Sequence, residues 1–130
     1  MQDNPNVAAK LGAYSPVLGQ RLRALRSFII DIAETSKEIG QFEESLKWGQ
    51  ISFATRNPKT GAPIRIDGDS EVGTYSIYVP CSTSIIEDFR NIHPDMFLYH
   101  GNREIRLDLT KPLPEAALTI FIKSALCFYI

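Results

Sequence analysis

Glu43-Glu44-Ser45-Leu46-Lys47-Trp48-Gly49-Gln50-Ile51-Ser52-Phe53-Ala54 is the stretch where the chain changes its hydrophobic period. Ahead of it, apolar residues recur every three or four positions; from it onward they alternate. It holds the only tryptophan, with a lysine beside it, and Gly49 breaks the run before the alternating pattern resumes. Gln41 to Leu46 predicts a first short strand and Ile51 to Thr55 a second.

Toward the N-terminus, Leu18, Leu22, Leu25, Ile29 and Ile32 recur at helical spacing with Phe28 alongside. They make the apolar stripe of an amphipathic helix. Ser15-Pro16 predicts its start, with proline in the first turn where its missing N–H costs nothing. The helix is expected to reach about Ser36, and Gly40 is a natural stop. Residues 1–14 show no period and read as a loose arm. Arg21, Arg23 and Arg26 crowd the first half of the helix and Asp31, Glu34 and Glu38 the second. That order is the reverse of what the helix dipole favours. It fits a solvated face, or a charge pattern kept for a partner.

Toward the C-terminus, Asn57-Pro58-Lys59-Thr60-Gly61 predicts a loop and Pro63 to Asp67 a third strand. Gly68-Asp69-Ser70-Glu71 is a polar turn. Thr74 to Val79 is the clearest strand, with Tyr75, Ile77 and Val79 on one side and Ser76 and Tyr78 on the other. Connections this short predict an antiparallel meander. Ser84 and Glu87 have capping-box spacing ahead of a short helix through Ile85, Phe89 and Ile92, which His93-Pro94 ends. Phe97 to His100 and Glu104 to Leu109 flank Gly101-Asn102, a hairpin signal. A last helix opens near Pro114. Its apolar arc, Ala117, Leu118, Phe121, Ile122, Ala125, Phe128 and Tyr129, is broad, and Ile120 and Leu126 lie outside it. Such a helix is expected to be buried on more than one side, between sheet and first helix or in a homodimer interface. One domain, 15–130, follows the arm.

With 130 residues and 44% hydrophobic content, the chain has the size and composition of one globular domain. Its formal net charge of -1 excludes the basic footprint of a dedicated nucleic-acid binder. Cys81 and Cys127 are too few for a disulfide framework and read as reduced core thiols. No leader pattern and no apolar run near membrane-span length is present in the sequence, so a cytoplasmic protein is expected. G-x-S-x-G, Walker A, G-x-G-x-x-G and H-E-x-x-H are all absent. His93, His100, Cys81 and Cys127 do not stand at zinc-site spacing. Asp67, Asp69 and Glu71 place carboxylates at every second position, a weak signal for a hard cation that reads more simply as a solvated turn. Neither cysteine has a sequence neighbour that would activate it. What remains is surface recognition: Lys47, Trp48, Tyr75, Tyr78, His100 and Arg103 are the candidate binding residues, sharing one rim of the sheet.

Glu44 to Phe53, Tyr75-Ser76-Ile77-Tyr78, Gly101-Asn102-Arg103-Glu104-Ile105 with Leu107-Asp108-Leu109, and Pro112 to Leu118 resemble the YdhG-like family, the bacterial domain of unknown function 1801. The resemblance runs from the first helix to the C-terminus. It implies a two-layer α+β domain: an antiparallel sheet of about five to six strands, with N-terminal and C-terminal helices on one face and a short helix inserted between strands. It brings no established general activity and no required cofactor. Some members are described as frataxin-like iron chaperones, which use a dense acidic ridge; here Asp31, Glu34, Glu38, Glu43 and Glu44 are the carboxylates that would serve iron. The leading expectation is a non-enzymatic binding or accessory domain, partnering neither nucleic acid nor membrane. The iron chaperone is the second reading, and an enzyme with a site assembled only in space is the third.

Overall fold

Alternation of apolar and polar residues divides the strands into an inner and an outer face, and the sheet that results follows that division. The computed structural model describes residues 4–39, 41–56, 58–69 and 71–130. The expected helix stop at Gly40, and Asn57 and Ser70 of the two predicted turns, lie outside the described residues. The elements run α1 (Pro5–Ala13), α2 (Pro16–Thr35), β1 (Gln41–Lys47), β2 (Gln50–Arg56), β3 (Ile64–Asp69), β4 (Thr74–Tyr78), α3 (Ile85–Ile92), β5 (Leu98–His100), β6 (Glu104–Asp108) and α4 (Glu115–Leu126). All six strands pair antiparallel in the order β1-β2-β3-β4-β6-β5. The expected α+β architecture, with its N- and C-terminal helices, is therefore present. The meander holds as far as β4. After it, α3 carries the chain outward, so that β5 lands on the edge and β6 returns to pair with β4.

Register makes the division of faces explicit. Leu46, Ile51, Ile66, Ile77, Ile105 and Tyr99 stand opposite one another strand by strand and form one inward row. Phe53, Ile64, Tyr75 and Leu107 extend that face, which is buried under α2 and α4. Opposite residues of an antiparallel pair share a face. The outward row is accordingly Ser45, Ser52, Arg65, Tyr78, Glu104 and His100, with Ser76 and Arg106 in the next row. No helix covers this second face among the described residues.

One charged side chain stands on the inward face. Glu44 is buried, its side chain 1% exposed, and Arg26 of α2 forks onto it. Arg26 Nη2 donates to Glu44 Oε1 at 2.8 Å, and Arg26 Nε donates to Oε2. The arginine that reads as misplaced for the helix dipole is thus placed for a strand.

The N-terminal arm differs from expectation. Residues 5–13 form α1, with Asn4 as cap: its Oδ1 accepts from Asn6 N and Val7 N, at 2.9 and 3.4 Å. Val7 and Leu11, one turn apart, are buried. Two apolar residues are too few to register as a period in a sequence scan, but they suffice to dock three turns. Asn4 Nδ2 also donates to the Glu44 carbonyl at 3.2 Å, occupying an acceptor on the outer edge of β1.

Trp48-Gly49 is a two-residue hairpin turn with both residues at positive φ, 55° and 74°. A type I′ turn requires that geometry; glycine meets it freely, while tryptophan does so at a cost of about 1 kcal/mol. The β5–β6 connection is three residues, Gly101 to Arg103, since His100 pairs with Glu104. Ser84 precedes α3, but its hydroxyl donates to the Asp88 carboxylate instead of closing a capping box with Glu87.

Within α4, Leu118, Phe121, Ile122, Ala125 and Leu126 are fully buried in the one chain, including Leu126, which reads as lying off the arc. Only Ile120 is left substantially exposed in mid-helix, so most of the apolar surface that raised a homodimer is absorbed within the fold. The carbonyls at the end of α4 are taken by the β2–β3 loop: Ala62 N donates to Ala125 O and Thr60 Oγ1 to Leu126 O, both at 3.0 Å. A Cβ at Gly61 would lie 2.2 Å from the Leu126 backbone, so this approach needs glycine. Cys81 is exposed and Cys127 half-buried, so neither is the core thiol the sequence suggests.

Breaking a buried charge pair leaves one ion unsatisfied, at about 3 kcal/mol or more. Glu44→Ala is expected to lower urea-unfolding stability by roughly that amount, and Glu43→Ala by under about 1 kcal/mol, because Glu43 and Arg56 form an exposed pair. Equal effects would contradict the register of β1.

Candidate functional site

The outward face is concave where β3, β4 and β6 meet the α1–α2 junction, and there it holds a cleft of about 540 Å³. That volume is in the range of small-molecule sites. It is lined by Ser76, Tyr78, Glu104 and Arg106 of β4 and β6, by Asp67, Asp69 and Glu71 of β3 and the turn after it, and by Tyr14 and Ser15 of the α1–α2 junction. Strand alternation brings the β4 and β6 residues together. Ser76 stands opposite Arg106 and Tyr78 opposite Glu104 across the β4–β6 ladder, while Asp67 stands opposite Ser76 across β3–β4.

These groups are tied to one another. Ser76 Oγ donates to Glu104 Oε2 at 2.7 Å, and Arg106 Nε donates to the same oxygen at 2.9 Å. Burial alone would raise the Glu104 carboxyl. The hydrogen bonds from Ser76 and Arg106, with the charges of Arg106 and His100, outweigh it and hold Glu104 below the usual carboxylate range. Tyr14 OH donates to Asp67 Oδ1 at 2.5 Å, and Gly68 N donates to that oxygen at 2.9 Å. Burial first, then the bond to Asp67 and its charge, pushes the Tyr14 phenol far above its ordinary value. Burial and then the charge of Glu104 raise the Tyr78 phenol as well. Lys10 Nζ lies 4.9 Å from the centre of the Tyr14 ring.

The six candidate binding residues do not share one rim. Tyr78 lines the cleft. His100 stands on the same face opposite Glu104, its Nε2 buried without a hydrogen-bond partner. Tyr75 is on the other face, fully buried, with the Arg21 guanidinium 5.9 Å from its ring centre. Its alternation with Ser76 and Tyr78 fixes that outcome. Trp48 is 90% exposed at the β1–β2 tip, and Lys47 beside it lies three strand spacings, about 14 Å, from β4. Arg103 is exposed in the β5–β6 loop, which Arg90 holds through Gly101 O at 2.9 Å and Asn102 Oδ1 at 2.7 Å.

The five carboxylates named for iron do not converge. Glu44 is held by Arg26, and Glu43, next to it on the strand, faces the other way toward Arg56. Asp31, Glu34 and Glu38 are exposed on and just after α2. Among the described residues, no three His, Cys, Asp or Glu side chains form a group able to hold a metal ion.

Sequence reasoning misses Glu104, Arg106 and Tyr14. The first two carry a readable signal, because they alternate with Ile105 and Leu107 and so share the outward face with Tyr78. Tyr14 carries none, since its place depends on α1.

No family model, no curated protein and no solved structure gives a significant match to this chain. The site therefore rests on its own geometry.

A phenol held protonated in the fold contributes stability that is present below about pH 10, where an unfolded tyrosine keeps its proton. That contribution falls as pH rises through the alkaline range. Tyr14→Phe is expected to be less stable than wild type at pH 8, by about 1 kcal/mol for the lost hydrogen bond. The gap should close between about pH 10 and 12, read from urea midpoints. A constant gap would mean that the fold does not raise the Tyr14 phenol.

Proposed function

We propose that this chain is a non-enzymatic binding domain of the YdhG-like kind, with the outward-face cleft as its ligand site. The observation that carries the reading is the strand-built polar floor, where Ser76 Oγ and Arg106 Nε both donate to Glu104 Oε2. General acid–base work favours a group brought toward the operating pH. Here the shifted groups move away from it, the phenols of Tyr14 and Tyr78 upward and the Glu104 carboxyl downward. Such groups serve as permanent donors and acceptors, which suits recognition. Ser76 does not read as a nucleophile either, because its proton is directed at an ionised carboxylate that is a poor base. The rigid floor, built on strands, supports a pre-formed site.

Thr74 lines the cleft from β4. A screen of small polar compounds by ligand-observed NMR is expected to give binders to wild type that Thr74→Trp, filling the cleft, weakens at least about tenfold, or 1.4 kcal/mol. Binders indifferent to Thr74→Trp, or a screen without binders, would overturn the reading.

A further inference from the structure

The hydrogen-bond inventory of the cleft is one-sided. Asp67, Asp69, Glu71 and Glu104 face a single guanidinium, Arg106, whose Nε is already engaged by Glu104. The Tyr14 and Ser76 hydroxyls both spend their protons on carboxylates within the cleft. Asp67 Oδ1 also accepts from Gly68 N, and Asp69 Oδ1 accepts from Glu71 N at 2.9 Å. The second oxygens of Asp67 and Asp69 and the whole Glu71 carboxylate accept from no described residue. Hydroxyl donors remain on Tyr78, Thr74 and Ser15, but four carboxylates against one guanidinium leave the cleft negative, which favours a ligand that brings positive charge.

Two further observations narrow its shape. The cleft, about 540 Å³, is far larger than a bare ion needs, and its carboxylates do not gather as a metal-binding group. Its sides carry the phenol rings of Tyr14 and Tyr78. Aromatic faces attract organic ammonium groups, and the Tyr14 ring already receives the Lys10 ammonium. A volume walled by rings and rimmed by unsatisfied acceptors fits an extended organic cation better than a point charge.

We infer that the outward-face cleft binds a small alkylammonium ligand, its charged nitrogen on the Asp67–Asp69–Glu71 wall and its carbon chain along the Tyr14 and Tyr78 rings. This rests on the binding reading above and names the ligand class for the same cleft.

Three five-carbon probes differing only in charge test it by calorimetry on the full chain: 1,5-diaminopentane, 1,5-pentanediol and glutarate. The diamine is expected to bind with measurable heat, the diol and the diacid at least tenfold more weakly. Its affinity should fall several-fold as salt rises from about 50 to 300 mM, because the wall is solvent-facing. Asp69→Asn combined with Glu71→Gln is expected to weaken the diamine about tenfold or more. Glu71→Lys, at an exposed turn residue where folding is not at stake, should do the same. Glutarate or pentanediol binding as well as the diamine, with Thr74→Trp abolishing it, would overturn the ligand class while keeping the cleft as the site. Diamine binding unchanged in both charge variants, or no diamine binding, would overturn the inference.

Discussion

The Arg26–Glu44 fork is the constraint on which the rest of the structure depends. A carboxylate whose side chain is 1% exposed is costly to bury without a partner, and Arg26 supplies two donors from α2. The pair fixes Glu44 inward and Glu43 outward. A slip of one residue in β1 would bury Glu43 without a cation and turn Phe42 and Leu46 to solvent. Through its pairing with β2, the fork helps decide which side of β1 joins the core and which is left outside.

What is left outside is a polar face that the chain does not cover. The inward face is closed by aliphatic rows and by α2 and α4, down to the fit of Leu18 against Gly68, where a Cβ would meet Leu18 Cδ1 at 2.6 Å. The outward face has no such layer, yet its central groups are neither loose nor fully solvated. Ser76 is buried, and Glu104 is held by two donors. Ordered polar groups on this face line the cleft proposed as the ligand site, and α1 completes it by delivering Tyr14 to Asp67.

Much of this was legible in the sequence, and the unread part has identifiable causes. The helical stripe through Leu18, Leu22, Leu25, Ile29 and Ile32 and the alternation at Thr74 to Tyr78 both led to the elements that form. Alternation also placed Tyr78 outward, but the same rule should have removed Tyr75 from a shared rim and added Glu104 and Arg106. The spacing of Asp67, Asp69 and Glu71 was visible as a set of carboxylates. Its setting in a cleft depends on Tyr14, fifty-three residues away in sequence, which no local pattern reveals. Trp48 drew the eye as the only tryptophan, yet it stands exposed on a turn where backbone geometry asks for a residue tolerant of positive φ. Composition singled it out; register gathers the cleft residues elsewhere.

The central claim is that the outward face at β3, β4 and β6 is the surface that meets a ligand. Protein-observed amide NMR during titration with any binder tests it most directly. The account expects shifts concentrated at Asp67–Asp69, Thr74–Tyr78 and Glu104–Arg106, with Tyr14 following. Shifts concentrated instead at Lys47–Gly49 or Gly101–Arg103, with the cleft residues still, would contradict it.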